Sequence, residues 1–238
     1  MQPGGELGGY LIEAVEREDA SVAVLRAHEP HDGRTVTLHV AGEPPGALAT
    51  VRFLERAHRL GTVEHPNLLG VYDICTLDGR AVAVAEAPSG TRLDELLSRG
   101  PMSQTPSVKL ARQVASAVDA LEEAGAAPPP LTPERIWVDA GGDAHLDGLD
   151  AHLGVTPPAA SSSASIARLL ASMTRDPCDD LELVITRAVE GAYLSAGQLA
   201  EELQRVEATR ARHRRDTVLT ITLCATLVLI IVLLVTLT

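Results

Sequence analysis

Pro128-Pro129-Pro130-Leu131-Thr132-Pro133-Glu134-Arg135-Ile136-Trp137-Val138 is the stretch on which the fold turns. Three successive prolines lack backbone donors and clash with a preceding helical turn, so any helix upstream has ended before them. Arg135 to Val138 then reads as a short strand. Ala144 to Leu146 reads as a second, and Asp139-Ala140-Gly141-Gly142 supplies the turn between them.

Upstream of the prolines the apolar period is helical. Val108, Ala111, Val114, Val118 and Leu121 share one helix face, and Leu93, Leu96 and Leu97 mark a shorter helix before it. Ahead of Thr91 the pattern is extended. Tyr10 to Val15, Ser21 to Arg26 and Thr35 to Val40 read as a three-stranded meander with turns such as His31-Asp32-Gly33. After Pro44-Pro45-Gly46, Leu48 to Leu60 reads as a helix with Val51, Leu54 and Leu60 on one side. Strands Leu68 to Cys75 and Arg80 to Ala87 follow, joined at Leu77-Asp78-Gly79. Downstream, Gly154 to Ser163 is a loop, and helices are expected over Ser165 to Met173, Asp180 to Val189 and Ser195 to Ala208. The fold class is α+β: a five-stranded N-terminal lobe with one helix, then a shortened helical lobe.

The last stretch, Thr217 to Thr238, carries no charge, and at 1.5 Å per residue it extends about 33 Å, enough to cross a hydrocarbon core. Its threonine hydroxyls can bond back to helix carbonyls. Arg210, Arg212, Arg214 and Arg215 precede it, and basic flanks stay on the cytoplasmic side. The expectation is a tail-anchored protein at the plasma membrane with its N-terminal domain in the cytoplasm. It divides into a disordered 1–8, an N-lobe at 9–87, a C-lobe at 88–208, a basic segment at 209–216 and a transmembrane helix at 217–238. A net charge of −12 with no basic patch argues against nucleic acid as a partner. Cys75, Cys178 and Cys224 are too scattered for a disulfide framework or a zinc site. The turn around Pro30 keeps His28 and His31 from pairing on a metal.

Three segments together resemble bacterial serine/threonine protein kinases of the membrane-bound, actinobacterial sort. They are His65-Pro66-Asn67 with Leu68 to Asp73, Ser89-Gly90-Thr91-Arg92-Leu93-Asp94-Glu95-Leu96-Leu97, and Leu131 to Val138. Their order and spacing carry the likeness over residues 9 to 150, and beyond it Leu181 to Leu203 is similar to the last two helices of that fold. The resemblance implies a two-lobe kinase-like architecture whose cleft, in active members, aligns nucleotide, metal and nucleophile.

Carried over position by position, the resemblance puts other residues where that chemistry needs its groups. Glu16-Arg17-Glu18-Asp19-Ala20-Ser21 stands at the glycine-rich loop, and His39 at the phosphate-pairing lysine; the only lysine in the chain is Lys109. Arg56 stands at the helix glutamate, with Glu55 one residue off register. Pro130 stands at the catalytic aspartate, Thr132 at the lysine two residues on, Arg135 at the metal-binding asparagine and Gly148 at the metal-binding aspartate, flanked by Asp147 and Asp150. Ala151 to Ala164 replaces the whole activation segment. The expectation is a catalytically inactive kinase-like domain, with no cofactor or metal, that acts as a scaffold or regulator by binding other proteins such as active kinases or phosphopeptide-binding domains. Thr156, Ser161, Ser162 and Ser163 are candidate regulatory phosphosites. The alternatives are an atypical ATP-binding kinase with weak activity through Asp147 or Asp150 and metal, and a tail-anchored adaptor unrelated to kinases. His65 is expected as a structural turn residue, and Trp137 and Tyr72 as core residues.

Overall fold

Alternation of apolar and polar side chains over the first 41 residues builds most of one curled sheet. The computed structural model describes residues 1–18, 21–149, 161–209 and 212. Strands β1 (Glu6–Leu7), β2 (Tyr10–Glu18), β3 (Val22–His28) and β4 (Thr35–Ala41) run antiparallel. They are continued by β6 (Arg80–Glu86) and then β5 (Val71–Leu77) at the far edge, giving the order β1-β2-β3-β4-β6-β5. The period-two pattern sends Leu25, Leu38, Val82 and Val84 into one cluster and Val22, Val24, Ala81, Ala83 and Ala85 into the other. Helix α1 (Leu48–Leu60) lies on that second, alanine-rich face, where small side chains let it approach closely.

Three expectations change in this lobe. Residues 1–8 are not a disordered tail: Leu7 is buried, and β1 pairs with the start of β2, adding a sixth strand. The inward stripe of α1 is Thr50, Phe53, Ala57 and Leu60, while Val51 faces solvent. Successive helical residues are about 100° apart, so the spacing that buries Phe53 and Ala57 turns Val51 outward. The strand expected from Leu68 begins only at Val71, because residues 67–69 are committed elsewhere. Leu146 N donates to Asn67 O at 2.9 Å, and Leu69 N donates to Leu146 O at 3.0 Å.

Those two bonds join the sheet lobe to a second, small sheet. It comprises β7 (Thr91–Arg92), β8 (Ile136–Val138) and β9 (Ala144–Leu146), in that order. The proline run is followed by a single 3-10 turn, Pro133–Arg135, before β8 begins at Ile136. Below lie α2 (Leu93–Leu97), α3 (Gln104–Glu123), α4 (Ser162–Met173), α5 (Asp179–Val189) and α6 (196–209). Helix α3 is the axis of this lobe, with Val108, Leu110, Ala111, Val114, Val118 and Leu121 buried against the surrounding helices. Helix α4 starts three residues before the expected Ser165, because the Ser161 hydroxyl accepts the Ala164 amide at 3.2 Å and caps it.

The chain passes between the lobes through Ser89-Gly90. Gly90 has φ +95°, and a Cβ there would stand 2.1 Å from the Val138 carbonyl oxygen. Both the left-handed backbone and the close approach exclude a side chain. Gly90→Ala is therefore expected to destabilise the 238-residue chain by roughly 2–4 kcal/mol. Urea unfolding in detergent measures this, and an unchanged midpoint would show that the β7–β8 contact yields without cost.

Candidate functional site in the interlobe cleft

Between the sheet lobe and β8 lies a cleft of about 430 Å³, bordered by Glu16, Arg17, Arg92, Glu134, Trp137 and Asp147 among others. It narrows inward to a recess of about 30 Å³ reached by Thr37, His39, Glu86, Asp147 and Leu149. The recess has room for about one or two water molecules.

The walls follow from local chemistry. Strand pairing fixes β4 so that Thr37 and His39 point to the same side, as residues two apart on a strand must. Glu16 is turned into an ion pair, its Oε1 accepting from Arg26 Nε at 3.0 Å. Trp137, expected in the core, instead floors the cleft, because β8 lies at the lobe boundary and its middle residue faces the opening. Arg92 is held by a fork to Asp94 at 2.9 and 2.6 Å, and this guanidinium keeps the Asp94 carboxyl below its usual range.

His39 is a deeply buried polar group of the recess. It is 2% exposed, and among the described residues its Nδ1 has no hydrogen-bond partner; the same holds for Thr37 Oγ1. Burial pushes the His39 imidazole below its ordinary range, and nearby Asp147 opposes that shift. Asp147 has its own partner, accepting the Leu149 amide at 2.9 Å.

Of the residues singled out by sequence, His39, Pro130 and Arg135 converge on this cleft. Arg56 and Gly148 are brought together outside the cleft lining, Arg56 Nη2 donating to Gly148 O at 3.1 Å. Lys109 is elsewhere: its Nζ lies 2.9 Å from Asp143 Oδ1 and donates to Gly141 O at 3.2 Å in the β8–β9 turn. Asp147 enters the cleft although the position-by-position reading gave the metal-binding place to Gly148. Trp137, Thr37, Glu16 and Glu86 also border it, and periodicity alone does not distinguish a residue facing a cleft from one facing a core.

The serines need correction. Ser163 is 1% exposed, and its hydroxyl donates to Ser195 O at 3.0 Å, so a phosphate has no room there in the folded protein. Ser162 donates to the Glu122 carboxylate, and Ser161 is the exposed cap of α4. Thr156, Asp150, Arg210, Arg214 and Arg215 lie outside the described residues; Arg212 is exposed. His65 serves as a turn residue, its Nδ1 accepting the Asn67 amide at 3.1 Å and its Nε2 lying 3.0 Å from Ser116 Oγ. Tyr72 is not in the core: it is 49% exposed, with the Arg34 guanidinium 4.6 Å from its ring centre. No helix among the described residues is long and apolar enough to cross a membrane, and 217–238 lies outside them.

This architecture is shared with known proteins. The chain is 27% identical over 146 residues to the serine/threonine-protein kinase PknE of Mycobacterium tuberculosis, covering 60% of this chain and 26% of PknE. It is 26% identical over 148 residues to PknD of the same organism, covering 61% of this chain and 22% of PknD. To the serine/threonine-protein kinase pkn2 of Myxococcus xanthus it is 30% identical over 143 residues, covering 58% of this chain and 17% of that protein. The chain thus spans about a quarter or less of these relatives. Among solved structures, the Mycobacterium tuberculosis PknI kinase domain superposes with TM-score 0.66 at 17% identity, covering 86% of this chain and 99% of the domain. A variant of the same domain gives TM-score 0.68 at 14% identity, covering 86% and 98%. No protein-family profile matches the chain. The fold is protein-kinase-like. By sequence the chain is similar to bacterial serine/threonine protein kinases, and the reading as an adaptor unrelated to kinases is set aside.

His39 generates a pH dependence. Its folded-state pKa is depressed, so the neutral imidazole is favoured, and its stabilising contribution is intact above the ordinary imidazole value of about 6.5. As pH falls below that value the unfolded chain takes up a proton that the folded one resists, and stability is lost toward the depressed pKa. Replacement by Leu is expected to remove this component. Urea unfolding from pH 7.5 to 5 should show His39→Leu losing less stability than the wild type, and parallel losses would disprove the assignment.

Proposed function

We propose that this kinase-like domain does not transfer phosphoryl groups and works as a protein-binding platform. The observation that carries this reading is the polar content of the inner cleft. By the position-by-position resemblance, the buried imidazole of His39 stands where active kinases have a lysine, Pro130 where they have the catalytic-loop carboxylate, and Arg135 where they have the metal-binding asparagine. Phosphoryl transfer works by positioning and charge stabilisation, with parts that act as a unit, so loss of several compounds. In this proposal partners are other proteins, and the surface they meet is the kinase-like exterior rather than the cleft. The apolar stretch 217–238 and the arginines before it anchor the platform to the cytoplasmic face of the plasma membrane. Ser161 is the accessible member of the serine run, and a phosphate there would sit at the N-terminus of α4, where the helix dipole favours negative charge.

One observation favours a second reading. Asp147 brings a carboxylate into the cleft, close to where metal would be held in an active kinase. Thermal unfolding of the detergent-solubilised full chain with millimolar ATP and Mg²⁺ separates the two. The platform predicts a midpoint unchanged within about 1 °C, because only a ligand of the folded state raises it. A rise of several degrees, abolished in Asp147→Ala, would establish a live nucleotide site and overturn the proposal.

A further inference from the structure

Beside the cleft, two guanidinium groups grip consecutive carbonyls. Arg56, on α1 of the sheet lobe, donates from Nε and Nη2 to Gly148 O at 3.3 and 3.1 Å. Arg135, 6% exposed at the end of the 3-10 turn, donates from Nη1 to Leu149 O at 3.3 Å. The two grips come from opposite lobes and close on one two-residue segment. A third tie, Arg59 Nη1 to Gly125 O at 3.3 Å, joins the last turn of α1 to the end of α3.

Packing reinforces the grip. A Cβ on Gly148 would lie 2.8 Å from Leu60 Cδ2 and 3.3 Å from Leu68 Cδ1, and Leu60 is 2% exposed. Glycine at 148 therefore lets α1 close down far enough for Arg56 to reach the carbonyl. In active kinases the corresponding helix is placed by a lysine–glutamate ion pair, and the segment opposite carries the metal ligand, so both depend on switchable parts. A backbone carbonyl is different: it is always an acceptor, at every pH and with or without ligand.

We propose that Arg56 and Arg135 form a permanent latch that fixes α1 against Gly148–Leu149 and holds the two lobes in one relative position with neither nucleotide nor metal. The proposal deepens the platform reading and rests on it, since partners then meet a single, unswitched surface. Arg56 and Arg135 are positioning residues. They act on the placement of α1 and not on any reacting atom.

Hydrogen exchange of the full chain in detergent, with and without ATP and Mg²⁺, tests this. In the wild type the α1 amides should exchange slowly, and nucleotide should change them less than twofold. Arg56→Met should raise α1 exchange at least tenfold while the β4 and β6 amides hold their rates. Arg52→Met, on the exposed face of the same helix, should leave α1 unchanged. Should Arg56→Met not fold, Arg56→Lys keeps the charge and a donor, and an increase in α1 exchange smaller than tenfold but above twofold supports the latch. Exchange in either Arg56 variant within twofold of wild type overturns it, as does nucleotide-dependent protection of wild-type α1. The two proposals fail separately. Saturable ATP binding with α1 unmoved would end the platform reading and keep the latch, whereas no ATP binding with Arg56→Met indistinguishable from wild type would end the latch alone.

Discussion

The seam between residues 67–69 and β9 is the constraint on which the rest of the structure depends. Two backbone bonds to Leu146 cross it, and the Asn67 side chain adds a third, donating Nδ2–H to Ala144 O at 2.7 Å. Backbone groups at a lobe boundary must find partners or stay wet, and here each lobe supplies what the other lacks. His65 shapes the approach by accepting the Asn67 amide, and its other nitrogen meets Ser116 on α3. The short motif His65-Pro66-Asn67 is thus a clip from the sheet lobe to the helical lobe.

The other features of the cleft hang from that clip. With β9 fixed beside Leu68 and Leu69, the chain after Leu146 emerges directly under α1, which places Asp147 in the cleft and Gly148 against Leu60. With β8 paired to β9, Trp137 borders the opening. With β7 on the other side of β8, Gly90 is pressed onto the Val138 carbonyl. A cleft so made is framed by backbone hydrogen bonds between β7, β8, β9 and residues 67–69.

Charge is disposed to the same end. Glu16 with Arg26, Arg92 with Asp94 and Lys109 with Asp143 are each held by a near neighbour or an adjoining strand or turn. His39 escapes this pattern. It is buried, without an Nδ1 partner among the described residues, and so it carries a desolvation cost that nearby Asp147 and Glu16 offset only in part.

The sequence by itself determined the longer elements, because period and punctuation are local properties, while the two-residue strands β1 and β7 exist only through their pairing partners. Leu48–Leu60 is a helix from end to end as its pattern requires, and the strand at Ala144–Leu146 and the α+β order follow from turns and prolines written into the chain. It also carried the likeness to kinases, through motifs that are contiguous. What only the tertiary structure decided is which side of each element faces what. Val51 and Phe53 are both apolar on one helix, yet only the second meets the sheet; Trp137 and Tyr72 read as core, yet one floors a cleft and the other lies on the surface. Ser163 read as an exposed loop residue until α4 was seen to begin before it and bury it. The meeting of Arg56 with Gly148 joins residues 92 positions apart and was invisible for the same reason. Side-chain identity sets what a residue can bond, but which partner it reaches is fixed by long-range packing, and that is not encoded in any window of the chain short enough to read.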